Sequence, residues 1–380
     1  QGYLSQSQNS THEVAIELAL GRHATGEGEY CLWNGLLRVP GKITVGDAGQ
    51  GLLDIRGGQI EAGQMNVALS GQGEVHHHDG HVGALLGETL DVTVAAGPMS
   101  VGSYTMYPGT AVLEANNLTI GGAPSGNGTF TQQGGVVAVN GEFAAGGSTA
   151  IYGGYLMEDG LLTTHRGWVG KEPGSTGEFV QSGGTVQCLD EFTIGGGSNS
   201  DGTLRITGGV FDARDQLLCL GSQDPNGDGK GVLKIEDGLV IANELDIVGA
   251  GSYIGGGDAT QGTLRVNHFP TLNSQLGLNI DLELGHSGGD ANSTYTQSAG
   301  EMFTLGGDLT VGYDATATFT QQGLFAPVSI NGNLKLASQP GSTGDYSISA
   351  AGATLNASDV IVGYGGNGTF YQSTGSVTAV

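Results

Sequence analysis

Apolar residues along this chain come in short bursts at alternate positions, and the bursts recur in phase. The run Gly128-Thr129-Phe130-Thr131-Gln132-Gln133 sets one large apolar residue between polar neighbours. Degenerate copies read Gly177-Glu178-Phe179-Val180-Gln181, Gly202-Thr203-Leu204-Arg205-Ile206, Thr318-Phe319-Thr320-Gln321-Gln322 and Gly368-Thr369-Phe370-Tyr371-Gln372. A period of two marks a strand with one buried and one wet face, and no segment sustains a helical period. A second element, apolar-x-apolar-Gly, keeps the same phase: Leu118-Thr119-Ile120-Gly121, Phe192-Thr193-Ile194-Gly195, Leu218-Cys219-Leu220-Gly221, Leu309-Thr310-Val311-Gly312 and Val360-Ile361-Val362-Gly363. Between the two lies a short valine-rich strand such as Val136-Val137-Ala138-Val139.

The corner glycines are read as Gly21, Gly46, Gly102, Gly121, Gly146, Gly170, Gly195, Gly221, Gly249, Gly285, Gly312 and Gly363, with Ser70 and Ala337 standing in. Their spacing is mostly about 24–28 residues, the range of stacked repeats. A propeller would need antiparallel units of about 40 residues, and a sandwich hairpin signals every 8–12 or so. The pattern predicts an all-β chain, a right-handed parallel β-solenoid with three strands per coil and roughly 14–15 coils. It spans residues 1–380 as one continuous solenoid, with longer loops near 71–98 and 250–281. At about 4.8 Å per coil the expected rod is on the order of 70 Å long. One core column is expected at Leu4, Tyr30, Leu53, Tyr104, Phe130, Phe179, Leu204, Leu233, Leu264, Tyr295, Phe319, Tyr346 and Phe370.

Composition changes this picture little. Seventy-three glycines suggest low complexity, but 38% apolar content held in phase argues for a packed core with glycine at the corners. The 37 acidic and 12 basic residues give a formal charge of −25, which disfavours nucleic acid and anionic membrane and favours cations. No apolar run reaches the roughly 20 residues of a membrane-spanning helix, so no membrane insertion is expected. A low-lysine, Thr/Ser/Asn/Gln-rich surface points to an extracellular or cell-surface protein whose leader has been removed. Cys31, Cys188 and Cys219 fall at different phases and read as small buried hydrophobes rather than disulfide partners.

The copies G-T-F-T-Q-Q-G-G and L-T-I-G-G resemble the glycine-rich β-solenoid repeats of bacterial surface and secreted proteins, including autotransporter passenger domains. The resemblance covers nearly the whole chain and implies an architecture shared by adhesins, matrix proteins and fibres. It implies no catalytic motif.

Candidate sites are few. Asp224-Pro225-Asn226-Gly227-Asp228-Gly229-Lys230 places oxygens at alternate positions around a glycine turn, so Asp224, Asn226, Asp228 and the carbonyl of Lys230 are candidate calcium ligands. Ile235 stands where an EF-hand needs its closing glutamate, and a solenoid corner that binds nothing has the same composition. His76-His77-His78-Asp79-Gly80-His81 puts His76 and His78 on one strand face, with His81 or Asp79 arriving from the turn, as candidate ligands of zinc, nickel or copper. Six Asn-x-Ser/Thr sequons, at Asn9, Asn117, Asn127, Asn292, Asn356 and Asn367, are mostly by-products of repeated Asn-Gly-Thr corners. Arg205, Lys234 and Arg265 each follow a core leucine and suggest a basic stripe over consecutive coils.

A polysaccharide-cleaving enzyme, the less favoured alternative, would need carboxylates and basic residues converging on one groove; Asp212, Asp215, Glu236, Glu244 and Asp246 lie in the region of that stripe, but a mixed-charge ladder on a solvated face is the simpler account. The reading favoured is an extracellular structural protein whose subunits add head to tail into a filament, the contact lying at Gly2, Tyr3 and Leu4 at one end and Phe370, Val377 and Val380 at the other. An adhesin-like rod that binds carbohydrate is the alternative.

Overall fold

The computed structural model describes residues 2–7, 10–148, 152–222, 229–247, 253–255, 263–268, 276–278, 281–284, 292–297, 303–322 and 327–379. The chain is all-β, a solenoid of stacked coils in which every described strand pairing is parallel. Residue contacts group it into two units: residues 1–204 with 221–231, and residues 205–220 with 232–380.

In the first unit a coil carries three strand segments, as in Val101–Met106, Val112–Ala115 and Asn117–Ile120. Each segment pairs with its counterpart in the next coil, Val101–Met106 with Asn127–Gln132 and Val112–Ala115 with the start of Val136–Ala145. The register stacks like on like: Gly102 on Gly128, Tyr104 on Phe130, Thr105 on Thr131. Strand residues alternate between buried and part-exposed, which is the two-residue period seen in the sequence.

The motif glycine is fixed by a close approach. A Cβ on Gly128 would lie 2.6 Å from the backbone nitrogen of Gly121, the corner residue that precedes it. That corner itself needs a left-handed residue, and Gly121 has φ +72°. In two coils of this unit the left-handed corner residue is alanine, Ala68 at φ +61° and Ala95 at φ +58°. Ser70 and Gly102 do not occupy those corners; Gly102 is a strand glycine stacked between Gly73 and Gly128. Ala337, at φ +58°, does hold the corner expected of it.

The core column of the first unit runs Tyr30, Leu53, Val75, Tyr104, Phe130, Tyr155, Phe179, with Leu4 in register before Tyr30 but exposed. Val75 and Tyr155 are additions to the sequence reading. Residues 71–98, read as a longer loop, carry the strands Gln72–His77, His81–Gly83 and Asp91–Val94. The aromatic members stack face to face, Tyr104 on Phe130 at 4.7 Å and Phe130 on Tyr155 at 5.1 Å. Phe143, from the third strand segment, meets Tyr155 edge-on at 5.1 Å and closes the core from the other side.

In the first unit each column tyrosine is met by a polar side chain of the previous coil. The last inward residue of the motif strand is Gln132, whose amide nitrogen donates to the carbonyls of Gly135 and Leu161 at 3.2 and 3.1 Å. Its oxygen then accepts from the Tyr155 hydroxyl at 2.5 Å. Gln6 receives the Tyr30 hydroxyl in the same way at 2.6 Å. His77 stands in for the glutamine: one ring nitrogen lies 3.2 Å from the Gly80 carbonyl and the other 3.0 Å from the Tyr104 hydroxyl. Because a carbonyl only accepts, Nε2 carries the proton and Nδ1 takes the tyrosine's. Burial pushes this imidazole's pKa down to about 4. Where the upstream residue is apolar, Met106 or Met157, the next column residue is Phe130 or Phe179.

The second unit carries a column of the same kind, although there Gln297 precedes Phe319 rather than a tyrosine. Tyr295, Phe319, Tyr346 and Phe370 align in register, with Phe319 on Tyr346 at 4.7 Å and Tyr346 on Phe370 at 5.5 Å. The Tyr346 hydroxyl donates to Gln321 at 3.2 Å. Leu264 is not in this column, since its backbone pairs with Val240 and Leu282. Arg265 accordingly lies opposite Ile241 and Glu283, whereas Lys234 lies opposite Gly255, so no stripe runs from Lys234 to Arg265.

Cys31, Cys188 and Cys219 are buried, and none of them forms a disulfide among the described residues. Cys188 is pushed up to about 12, mainly by burial.

Candidate metal centre

Two outward columns meet at one corner of the first unit. The inner one stacks Cys31, Asp54 and His76 in register, with Thr105 on the coil beyond. Each of these residues follows a core-column member and so faces outward by strand alternation. Two positions further along the same coils stand Trp33, Arg56, His78 and Tyr107, and they cover the inner column. The Arg56 guanidinium lies 4.6 Å over the Trp33 ring, and His78 stacks on Tyr107 at 4.2 Å with the rings 3° from parallel. His76 meets Tyr107 edge-on at 5.7 Å.

Beneath this cover Asp54 is only 6% exposed. Its Oδ2 accepts from Arg56 Nε at 2.8 Å and from the Cys31 thiol at 3.7 Å. Its Oδ1 is buried without a hydrogen bond and lies 3.4 Å from His78 Nε2. A buried carboxylate oxygen left in that state is costly unless a cation reaches it. Ligand atoms of Asp54, His76 and His78 all lie within 4.8 Å of one another. His78 is held below the usual imidazole range, chiefly by burial and also by Arg56 and His76, against the opposing pull of Asp54. Burial and the Asp54 charge push the Cys31 thiol up, so it serves as a donor to Asp54.

The expected trio of His76, His78 and His81 is therefore divided. His81 begins the next strand of its coil, in register with Gln59 and Val112, and its Nε2 faces Glu114 Oε2 at 3.3 Å. Asp79 turns to Gly80 N at 2.8 Å and to the Thr110 hydroxyl, which hold its carboxyl low. Asp54 takes the third place. Glu74 reaches His76 at 3.7 Å from the same face of the strand.

Glu74 also borders a groove of about 230 Å³, where Glu27, Gln50 and Gln72 form one ladder and Glu29, Leu52 and Glu74 the next. Of the candidate calcium loop, Asp224, Asn226 and Asp228 lie outside the described residues. Lys230 starts a strand, its backbone nitrogen bonded to the Ser200 carbonyl at 2.8 Å. Of the positions named for assembly, Gly2, Tyr3 and Leu4 are exposed in a strand paired with Glu27–Leu32. Phe370 stacks on Tyr346, Val377 pairs with Leu355, and Val380 lies outside the described residues.

Comparison of the chain with family models, with curated proteins and with solved structures returns no match.

Proposed function

We propose that this chain is a structural protein of the cell exterior, built to stack coil on coil into a filament or matrix fibre with other copies of itself. The reading rests on one observation, the in-register stacking of equivalent side chains between consecutive coils, exemplified by Gly102 on Gly128 and Tyr104 on Phe130. A coil built this way is complementary to any other coil of the same kind, whether it belongs to the same chain or to another copy. Such pairing is held by main-chain hydrogen bonds and apolar stacking, so it resists salt. The likeness of the repeats to glycine-rich solenoids of bacterial surface and secreted proteins, autotransporter passengers among them, agrees with an exterior location.

Electron microscopy and sedimentation of the folded, tag-free protein across a concentration series test this. Filaments or a concentration-dependent ladder of oligomers are expected, unchanged between low and high salt. A monodisperse monomer at millimolar concentration rules the reading out.

One observation favours a second reading, an adhesin-like surface that binds carbohydrate. The groove flanked by Glu27, Glu29, Gln50, Gln72 and Glu74 presents carboxylates and amides at coil spacing, a set suited to sugar hydroxyls. Binding to a glycan panel that is lost in Gln50→Ala and Gln72→Ala, from protein that stays monomeric, would favour it over the filament.

A further inference from the structure

We propose that Asp54, His76 and His78 form a binding site for one divalent transition cation of the zinc class, which staples two adjacent coils together. Asp54 belongs to the strand Gln50–Ile55, His76 to the neighbouring strand Gln72–His77, and His78 follows directly after it.

The geometry is close to what such an ion requires. Tetrahedral zinc with bonds of about 2.0–2.1 Å sets its donor atoms about 3.4 Å apart. His78 Nε2 and Asp54 Oδ1 already stand at 3.4 Å. With all three ligand atoms inside 4.8 Å, His76 has at most about 1.4 Å to close, within reach of a side-chain rotation.

The surroundings fix the ligands in the manner of metal sites. Arg56 and Cys31 both engage Oδ2 of Asp54 and leave Oδ1 facing His78. The Tyr107 ring holds the plane of His78. Arg56 opposes a cation electrostatically, but Glu74, 3.7 Å from His76, supplies a second carboxylate on the rim. Two imidazoles and one carboxylate oxygen select zinc, copper or nickel over calcium or magnesium, which want six or more oxygens or an octahedral shell of water. Water completes the coordination.

The test uses tag-free protein stripped with chelator and titrated calorimetrically with zinc chloride, with far-UV circular dichroism as the check on folding. One equivalent of zinc is expected to bind and to raise the melting temperature. His76→Gln and His78→Gln should each weaken binding at least tenfold while the apo spectrum is retained, and His81→Gln should leave it unchanged. Asp54→Asn should abolish the zinc-dependent rise; because removing a buried carboxylate can also unfold the coil, the two histidine variants decide. Absence of heat at millimolar zinc overturns the proposal. So does a folded His76→Gln or His78→Gln that binds within threefold of the parent, or an equal loss in His81→Gln, which would mark adventitious capture by clustered imidazoles.

Discussion

The pairing of Gln132 with Tyr155 makes a sharp test of how this core is specified. Both side chains are fully buried, and the tyrosine hydroxyl donates to the glutamine oxygen at 2.5 Å. In Tyr155→Phe that oxygen loses its donor in a dry interior, a cost of about 1–3 kcal/mol. In Gln132→Met the Tyr155 hydroxyl loses its acceptor, at a similar cost of about 1–3 kcal/mol. The Gly135 carbonyl is not stranded by this change, because the Leu161 nitrogen also donates to it at 3.0 Å. The double variant Gln132→Met/Tyr155→Phe recreates pairs the protein already uses one coil either side, Met106 beneath Phe130 and Met157 beneath Phe179. It should therefore be far less damaging than the sum of its parts, with a coupling of roughly 1–3 kcal/mol.

A stack of repeats opens locally, so the readout is native-state hydrogen exchange at the amides of Tyr152–Met157 and Thr176–Gln181 rather than a single global melt. Protection should fall about five- to 150-fold in each single variant and largely return in the double. If the two single effects simply add, to within about 0.5 kcal/mol, Tyr155 is not specified by Gln132 and the reasoning fails.

Other expectations follow from packing, backbone and charge. Phe130→Ala, which removes a ring stacked at 4.7 and 5.1 Å on its two neighbours, should cost about 3–5 kcal/mol, while Thr129→Ala, on the wet face, stays within about 0.5; equal loss of exchange protection would mean the faces are misassigned. Gly46→Ala should be destabilising by at least about 1–2 kcal/mol, since φ is +76° and the new Cβ would meet the Gln72 carbonyl oxygen at 2.1 Å; a melt as high as the parent's would contradict this. Ala337→Gly relieves a left-handed alanine and should stabilise by up to about 1 kcal/mol, read as a raised denaturant midpoint. Burial works against the charged form of Asp308, but the Asn333 N–H at 2.7 Å and Lys335 Nζ at 2.5 Å outweigh it and hold the carboxyl below its usual range. A depressed carboxyl stabilises the fold above its unfolded-state value and loses that contribution as pH falls through the folded one; acid titration of stability should show this step, and Lys335→Met should shrink it.

Much of the architecture was legible because it rests on features that repeat in every coil. The glycine of G-x-F is set by its approach to the preceding corner, and the large apolar residue two positions on is set by ring stacking, so both recur with little freedom. Reading failed where a coil satisfied the same constraint by a different residue. Gly153-Gly154-Tyr155 looks like glycine-rich loop, yet Tyr155 continues the column between Phe130 and Phe179. Ala68 and Ala95 accept the left-handed corner without glycine, which drew the register onto Ser70 and Gly102. Conversely, Gly262-Thr263-Leu264-Arg265-Val266 copies the motif Gly202-Thr203-Leu204-Arg205-Ile206 closely, but Leu264 lies in register with Val240 and Leu282.

The same kind of miss concealed Asp54. Valine in place of an aromatic at position 75 left no visible motif between Leu53 and Tyr104, so the expected column passed over this coil and residues 71–98 read as a longer loop around the histidines. Once Val75 is placed on Leu53, the residue after each falls in line, and Asp54 sits directly beside His76. Ligand sets on a helix or in a tight loop reveal themselves by short spacings, because the chain itself brings the donors together within a few residues. On a solenoid the donors are brought together by stacking, so the relevant spacing is one coil, about 22 residues here, and it varies with every corner insertion. A site of this type becomes visible in sequence only after each coil has been registered against its neighbours. The search is then down the outward columns, for a carboxylate or imidazole stacked on another, as at Asp54 and His76.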